Sequence, residues 1–216
     1  MSAGFQRARR PEQIAARRTA ILAAAREMLA RRPVAEISLR ELSCQVGLAK
    51  SNVLRYFDSR EAIFLEVLDG SWTAWLDELA FAELPGAHFA REERIAGTIA
   101  ATLAERRLLC ELISAMAPVL ERNISLDFAR GFKHRAAANL ERLASLVRAA
   151  VPELTAEASR VFARGVVVVV SGAWPYANPT EAVALATAET GGAPAFETVV
   201  AENLTNLLAG LVARAR

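Results

Sequence analysis

Apolar residues recur at helical spacing along almost the whole chain. Near the start, Ile21, Ala25 and Met28 follow one another at intervals of four and three, which places them on one face of an α-helix. Proline suits the first helical turn but cannot continue a helix from its interior. The pattern therefore predicts a first helix that begins near Pro11 and ends before Pro33.

The second helix is bounded by signals at both ends. Ser38 and Glu41 have the spacing of a capping box, in which the serine hydroxyl accepts from the Glu41 backbone N–H and the carboxylate accepts from the Ser38 backbone N–H. Ile37 and Leu42 occupy the two positions of a hydrophobic staple around that cap. Gly47 stands where glycine commonly ends a helix. These signals predict a helix of about two turns.

A third helix is predicted over residues 50–57 and a long fourth helix over residues 59–83. At about 100° per residue, Val53, Leu54 and Phe57 fall within a narrow arc, which we expect to be buried. A face that merely contacts solvent would carry charges of either sign. The opposite half of this helix instead holds hydrogen-bond donors and an aromatic ring but no carboxylate: Lys50, Ser51, Asn52, Arg55 and Tyr56.

Helical spacing continues to the C-terminus, with helices predicted over residues 88–107, 108–122, 125–151, 155–174 and 195–214. Within the connection over residues 175–194, a short helix is expected to begin at Thr180. Residues 166–170 are five consecutive valines, for which local propensity favours a strand. Because the flanks are helical in composition and no partner strand is visible, we interpret this run as part of a buried helix. The chain is predicted to be all-α, with a three-helix helix-turn-helix domain over residues 1–58 and a larger helical domain over residues 59–216.

Composition supports the helical architecture, and the charge distribution adds a functional indication. The chain is 53% hydrophobic but only 6% aromatic, so small aliphatic residues supply most of its apolar side chains. Residues 1–60 contain 12 Lys and Arg against 5 Asp and Glu, a net charge of +7, whereas residues 61–216 contain 14 against 19, a net charge of −5. A basic first quarter joined to an acidic remainder indicates that the first quarter contacts a polyanion.

Two short helices joined by a turn at Gly47 form a helix-turn-helix, whose second helix enters the major groove of DNA. Asn52 can pair with adenine, Arg55 can pair with guanine or hold a phosphate, and Ser51 can contact either. Tyr56 can bond a phosphate or pack on a thymine methyl group. The outer face of the third helix is therefore a candidate surface for double-stranded DNA.

Three helix N-termini in this region are candidate phosphate sites. Lys50 and Arg60 lie in first helical turns, where the helix dipole disfavours a cation by roughly 0.3–1 kcal/mol. A bound phosphate would offset that cost and would also accept from free backbone N–H groups. The start of the second helix, with Ser38 and Arg40, is the third site.

The segment "ISLRELSCQVGLAKSNVLRYFDSREAIFLEVL", residues 37–68, resembles the DNA-binding domain of the tetracycline-repressor (TetR) family of transcriptional regulators. The long preceding helix, the capped second helix, the glycine turn and the helix that restarts after Phe57 all match. Ala49 stands where family members often have Ser or Thr. Leu54 stands where they commonly have a phosphate-binding tyrosine, so we assign that role to Tyr56. Arg60 replaces the more usual lysine and preserves its charge.

The resemblance implies a homodimeric repressor that leaves a palindromic operator when a small molecule binds in its C-terminal domain. Large side chains of the middle helices are candidates for ligand contact: Trp72, Trp75, Met116, Phe128, Phe132, Phe162 and Trp174. Two strongly apolar C-terminal helices suit a four-helix dimer interface, for which the candidates are Val166, Val169, Val200, Leu204, Leu207 and Leu211. Asn203 within that stripe could set the register, as a buried polar residue does in coiled coils.

Other function classes find little support in the sequence. No nucleophile elbow, phosphate loop, metal-ligand spacing or closely spaced carboxylate pair is present, so neither an enzyme nor a cofactor is predicted. Cys44 and Cys110 are expected to be buried, reduced thiols. The longest apolar run, residues 165–175, is far shorter than the roughly 18 residues of a membrane span, and a soluble cytoplasmic protein is expected. The alternative is a helical adaptor whose helix-turn-helix does not bind DNA, and the charge asymmetry argues against it.

Overall fold

Helices account for the architecture throughout the described part of the chain. The computed structural model describes residues 11–81 and 90–215, and in these ranges it contains ten α-helices and no strand. Their bounds are α1 Pro11–Arg31, α2 Leu39–Gln45, α3 Lys50–Val53, α4 Arg60–Glu78, α5 Ala90–Ala104, α6 Arg107–Met116, α7 Leu126–Ala150, α8 Ala156–Ala177, α9 Glu181–Glu189 and α10 Phe196–Arg214. The all-α prediction is confirmed, and the five valines are helical within α8.

Several helix boundaries differ from the predicted ones. α4 ends at Glu78, because Leu79 adopts an extended conformation, and α6 ends at Met116. α8 continues past Trp174 and holds Pro175 inside its last turn. The short helix predicted from Thr180 is α9, with Thr180 as its N-cap. Residues 82–83 and 88–89, predicted to be helical, lie outside the described residues.

The first three helices pack around a small apolar core. Its members are almost completely buried: Ile21, Ala25, Leu29, Ile37, Leu42, Val53 and Phe57. The set contains both staple residues of α2 and two of the apolar residues predicted on one face of α1. Because α2 and α3 are too short to be stable alone, the packing of α2 on α1 and of α3 on α2 holds the helix-turn-helix in place.

α4 connects the N-terminal helices to the rest of the molecule. It packs on α1 and also on α6 and α7. Asp69 of α4 accepts from Arg135 Nε at 2.7 Å and from Asn139 Nδ2 at 3.2 Å, and both donors belong to α7. A shift of α7 would therefore be transmitted to the helix that packs on α1.

The C-terminal helices bury one another rather than leaving their apolar faces free. α10 lies against α5 and α8, while α6 and α7 pack on other sides of α8. α9 differs from all of them, because none of its residues is buried. Its Val183 and Leu185 are 53% and 66% exposed. α9 is thus a helix with a largely uncovered apolar surface.

The two cysteines occupy different environments. Cys110 is buried, and its Sγ lies 3.2 Å from the Leu103 carbonyl oxygen, to which it donates. Burial raises the pKa of the Cys110 thiol to about 12. Cys44 is exposed, so the prediction of two buried thiols is wrong for this residue. Leu42 and Ser43 are the buried residues of α2, and Cys44, which follows them, lies on the exposed side of the helix.

Within the described residues, no helix combines the length and the apolarity required to cross a lipid bilayer. In the same part of the chain, no cluster of His, Cys, Asp or Glu side chains is arranged to hold a metal ion.

Candidate nucleic-acid interface

The start of α2 is closed by a complete capping box. The Ser38 hydroxyl accepts from the Glu41 backbone N–H at 3.2 Å, and Glu41 Oε2 accepts from the Ser38 backbone N–H at 2.8 Å. Arg32 Nη1 donates to the other carboxylate oxygen at 2.9 Å. The Ser38 backbone N–H and hydroxyl, followed by the Arg32 guanidinium, lower the pKa of Glu41 to about 2.

This arrangement limits what the start of α2 can offer a phosphate. The Glu41 carboxylate already occupies the anion position at this helix end, so the predicted contact of Ser38 is the least favourable of the set. Arg40 is exposed in the same turn, and its contact with DNA stays a prediction.

Gly47 makes the turn between the two short helices. Its φ is +65°, in the left-handed region that glycine adopts without steric cost. The Gly47 and Leu48 N–H groups donate to the Cys44 and Ser43 carbonyls at 3.0 and 2.9 Å, which closes the end of α2 as a glycine C-cap does. The glycine stop predicted from the sequence is confirmed.

α3 is shorter than predicted, and this changes the face on which Leu54 lies. The helix ends at Val53, and turns follow over residues 54–56. Val53 and Phe57 are buried as predicted, but Leu54 is 41% exposed. The prediction that Leu54 is buried is therefore wrong, because the apolar anchor of this segment consists of residues four apart and Leu54 falls beside it.

The predicted outer face is largely open to solvent. Lys50, Ser51 and Arg55 are exposed, while Asn52 and Tyr56 are half-buried. Tyr56 lines a groove against α1, beside Gln13 and Arg17. Leu54 stands at the position of the family's phosphate-binding tyrosine, whereas Tyr56 lies on the side of α1. The transfer of that role to Tyr56 stays a prediction.

Arg18 of α1 connects three segments of the N-terminal part of the chain, and it was not predicted from the sequence. Its Nη2 donates to both carboxylate oxygens of Glu66 on α4, at 2.5 and 2.7 Å. Its Nη1 donates to the Tyr56 carbonyl, and its Cζ lies 4.1 Å from the Phe57 ring centroid. One guanidinium thereby joins α1, α4 and the turn after α3. No sequence signal marked it, because its partners lie 38 and 48 residues away.

Arg60, predicted to hold a phosphate, is engaged inside the protein. Its Nη1 donates to the Ile37 carbonyl at 2.8 Å and its Nε donates to Glu61 Oε1 at 2.9 Å. Its Cζ lies 5.6 Å from the Phe64 ring centroid. Arg60 therefore ties the start of α4 to the segment before α2. The groove that it shares with Lys50 and Leu54 leaves it partly accessible, so a phosphate contact stays a prediction.

Comparison with known proteins accounts for almost all of this architecture. Residues 21–67 match the family model for bacterial regulatory proteins of the tetR family. Residues 69–215 match the model for the tetracyclin repressor-like C-terminal domain, which covers more than half of the chain. The chain belongs to the TetR family. It is a DNA-binding transcriptional regulator with a C-terminal ligand-binding domain, and members of this family are not enzymes.

Solved structures agree with the TetR fold. A TetR transcriptional regulator from Rhodococcus sp. RHA1 aligns over 93% of this chain and 98% of its own, with 16% identity and a TM-score of 0.57. Another transcriptional regulator from the same organism aligns over 89% of this chain and 96% of its own, with 14% identity and a TM-score of 0.55. At these identities the likeness concerns the fold alone. No curated protein of similar sequence matches the chain.

The two parts of this TetR-family chain also touch at the start of α4. In the connection between α6 and α7, Asn123 Nδ2 donates to Glu61 Oε2 at 3.2 Å, and the Ser125 hydroxyl donates to Asp58. Both acceptors flank the first turn of α4. These contacts place the ligand-binding domain directly against the residues that position α2 and α3.

The predicted ligand residues are mostly core. Trp72, Trp75, Phe132 and Phe162 are at most 2% exposed. Trp75 Nε1 donates to Thr102 Oγ1 at 3.0 Å. Met116 and Phe128 are half-buried at the edge of the core. Trp174 lines an open cleft, and Trp75 lines a separate groove beside Arg26 and Gly70.

The predicted dimer residues require correction. Val166, Val200, Leu204 and Leu211 are between 0 and 6% exposed within a single chain, because α10 turns its apolar stripe toward α5 and α8. Their side chains are therefore unavailable to a second subunit. Val169 and Leu207, the other two, are half-buried, and Asn203 lies outside the stripe on the exposed side of α10.

Proposed function

We propose that this TetR-family regulator is a homodimeric repressor of a palindromic operator, released when a small molecule binds in its C-terminal domain. The observation that carries the proposal is the carboxylate-free surface formed by the exposed Lys50, Ser51 and Arg55 and the half-buried Asn52. It is presented by a helix-turn-helix whose entry is fixed by the capping box and whose turn is fixed by Gly47.

Residues on this surface divide into two roles. Asn52 and Arg55 have the planar, two-pronged groups that read adenine and guanine edges in the major groove. Lys50 presents a point charge suited to a phosphate, which positions the protein without carrying sequence information. Ser51 is short enough to let the helix approach the bases closely. The surface can therefore both hold and read a half-site.

The proposed dimer uses the faces of α8 and α10 that the chain leaves uncovered. Val168 of α8 is 70% exposed, and Gly172 lies one turn further along the same exposed side. On α10, Asn203 and Gly210 are exposed in the same way. The glycines at two of these positions permit close approach of a second pair of helices. Two copies arranged in this way place two recognition helices on successive major grooves, about 34–36 Å apart.

Release follows from differential binding to two arrangements of the dimer. A ligand that binds more tightly to the arrangement with the wrong half-site spacing lowers DNA affinity. The largest possible decrease is the ratio of the ligand's affinities for the two arrangements. The contacts of Asn123 with Glu61 and of Ser125 with Asp58 supply a route from the ligand-binding domain to α4. The continuous helix α4 supplies a second route through Asp69 and α7.

The test is footprinting and fluorescence anisotropy on DNA from upstream of the protein's own gene. The protein should protect a two-fold symmetric site in the footprint. The logarithm of its affinity should fall linearly with the logarithm of the salt concentration, with a slope that steepens by about 0.9 for each phosphate contacted. Arg55→Gln should weaken binding, whereas Arg94→Gln, which removes an exposed charge from α5, should not. Binding that is independent of salt and of Arg55 would favour the adaptor alternative.

A further inference from the structure

A cleft separates α9 from the rest of the C-terminal domain. It is bounded by the start of α6, the end of α8, α9 and the start of α10, and its volume is about 650 Å³, within the roughly 300–1,000 Å³ of typical ligand pockets. Trp174 and Phe196 form its floor with their rings edge to face at 5.2 Å between centroids. Alanine and proline side chains make up most of the remaining wall. The cleft is therefore apolar, with an aromatic base.

The charge in this cleft has one sign. Among the described residues that line it, Arg107 is the charged one, and no carboxylate is present. The Arg107 Cζ lies 5.7 Å from the Trp174 ring centroid, and Nη1 makes a long hydrogen bond of 3.4 Å to Asn178 Oδ1. Within the described part of the chain, the guanidinium has no acidic partner. An incoming anion would therefore gain a charge-assisted hydrogen bond without displacing a carboxylate.

Two helix N-termini reinforce this preference. α6 begins at Arg107 and α10 begins at Phe196, and both residues line the cleft. The N-cap residues Arg106 and Ala195 supply no side-chain hydrogen bond to the first turn. The first turns of both helices therefore lack a side-chain cap, and the helix dipoles favour negative charge at these ends.

A carboxylate behind the aromatic floor connects the cleft to the DNA-binding domain. Trp174 Nε1 donates to Glu111 Oε2 at 2.8 Å. The other oxygen of Glu111 accepts from the backbone N–H of Val34 at 3.2 Å. Val34 is buried in the segment that joins α1 to α2. A single carboxylate therefore joins the floor of the cleft to the entry of the helix-turn-helix.

We infer that the cleft binds a small organic anion with an apolar body and that its occupancy is relayed to the helix-turn-helix through Trp174, Glu111 and Val34. The anionic group faces Arg107, and the apolar body packs on Trp174 and Phe196. A ligand seated on the indole changes the position of its N–H, and the Glu111 carboxylate follows. The relay to DNA rests on the proposed function, whereas binding in the cleft does not.

The cleft is tested with two fluorescent probes of similar shape, the anionic anilinonaphthalene sulfonate and the uncharged phenylnaphthylamine, titrated into the full-length protein. Arg107→Gln should weaken the sulfonate by about tenfold, the loss of one charge-assisted contact, and should leave the uncharged probe within twofold. Arg94→Gln is the matched control and should change neither affinity. Ala188→Trp, which fills the cleft from α9 and leaves Trp174 and Arg107 unchanged, should weaken both probes.

Two results would overturn the assignment of the cleft. Equal effects of Arg107→Gln on the two probes, including no effect on either, would show that no anion site is present. If Arg107→Gln instead weakens the dimer in sedimentation equilibrium and leaves the sulfonate affinity unchanged, the cleft is a subunit contact rather than a ligand site.

The relay is tested with Trp174→Phe, which removes the indole N–H and retains an aromatic ring over Phe196. Trp75→Phe is the control, because the Trp75 indole N–H donates to Thr102 rather than to Glu111. Saturating sulfonate should shift the Val34 amide resonance in the wild type and in Trp75→Phe but not in Trp174→Phe. Saturating sulfonate should also lower operator affinity about tenfold, a common size of allosteric coupling, in the wild type and in Trp75→Phe. It should leave the operator affinity of Trp174→Phe unchanged.

An identical Val34 response in the wild type and Trp174→Phe would overturn the relay. The Val34 resonance is read without DNA, so it decides the relay even if the protein fails to bind any duplex. Failure to bind any duplex would contradict the proposed function alone, and an unresponsive Val34 in a protein that binds its operator would contradict the relay alone.

Discussion

Arg18 on α1 holds both carboxylate oxygens of Glu66 on α4, at 2.5 and 2.7 Å. The same guanidinium donates to the Tyr56 carbonyl and stacks on the Phe57 ring. The turn that carries the recognition residues is thereby fixed from two sides. Because the pair is partly exposed, with side-chain exposures of 34% and 22%, its contribution arises more from geometry than from charge alone.

Arg18→Gln should lower the free energy of unfolding by about 1–3 kcal/mol, since it leaves a charged acceptor and a carbonyl without their donor. Arg17→Gln is the control, because Arg17 is exposed on α1, and it should stay within about 0.5 kcal/mol. Urea unfolding followed by circular dichroism measures both. Equal stabilities for the two variants would show that Arg18 does not hold the turn.

Glu41 should make stability depend on pH. Its pKa is lowered to about 2 from an ordinary value of 4.5, so its stabilising effect is present above pH 4.5 and is lost as the pH falls toward 2. Thermal unfolding of the wild type and of Glu41→Gln should therefore differ most above about pH 5 and converge in acid. A difference that stays constant from pH 7 to pH 3 would contradict the capping role of the charge.

Gly47 and Gly97 should respond in opposite directions to alanine. Gly47 has a φ of +65°, where a Cβ costs about 1–2 kcal/mol. Gly97 lies inside α5 with no atom within 4 Å of an added Cβ, so Gly97→Ala should stabilise the protein by about 0.5–1 kcal/mol. Denaturant midpoints measure both effects. Similar shifts of the same sign would indicate that the turn does not require glycine.

Lys50 and Arg60 should separate DNA binding from folding. Lys50 is exposed with no carboxylate partner in the described residues, so Lys50→Gln should weaken all duplexes alike and reduce the salt slope by about 1. Arg60 donates to Ile37 and Glu61, so Arg60→Gln should lower unfolding stability by about 1–3 kcal/mol. Anisotropy and urea unfolding on both variants check the division. If Arg60→Gln left stability intact and changed the salt slope instead, Arg60 would be a phosphate contact, as the sequence predicts.

Local signals in the sequence predicted the local structure well. Ser38 and Glu41 form the predicted cap because its partners are three residues apart, and Gly47 stops α2 because a single residue sets that geometry. The valine run is helical because its flanks and the absence of a partner strand outweigh its β propensity.

Features that depend on distant partners could not be predicted. The stripe of α10 was recognised as apolar, but periodicity does not tell what covers it. α10 packs on α5 and α8, and Val200 and Leu204 are buried within the same chain. Arg60 appeared free because its acceptor, the Ile37 carbonyl, lies 23 residues away. Glu111 carried no motif, and its two partners belong to segments 63 and 77 residues distant.

Selection of binding sites from random duplexes, with the wild type and Asn52→Ala in parallel, tests the central claim most directly. The wild type should enrich a two-fold symmetric site. Asn52→Ala should lose its preference at one base pair in each half, a cost of about 1–3 kcal/mol per position, and should keep the remaining sequence. Enrichment of an asymmetric site, or of the same site by both proteins, would contradict base reading by a dimer through Asn52.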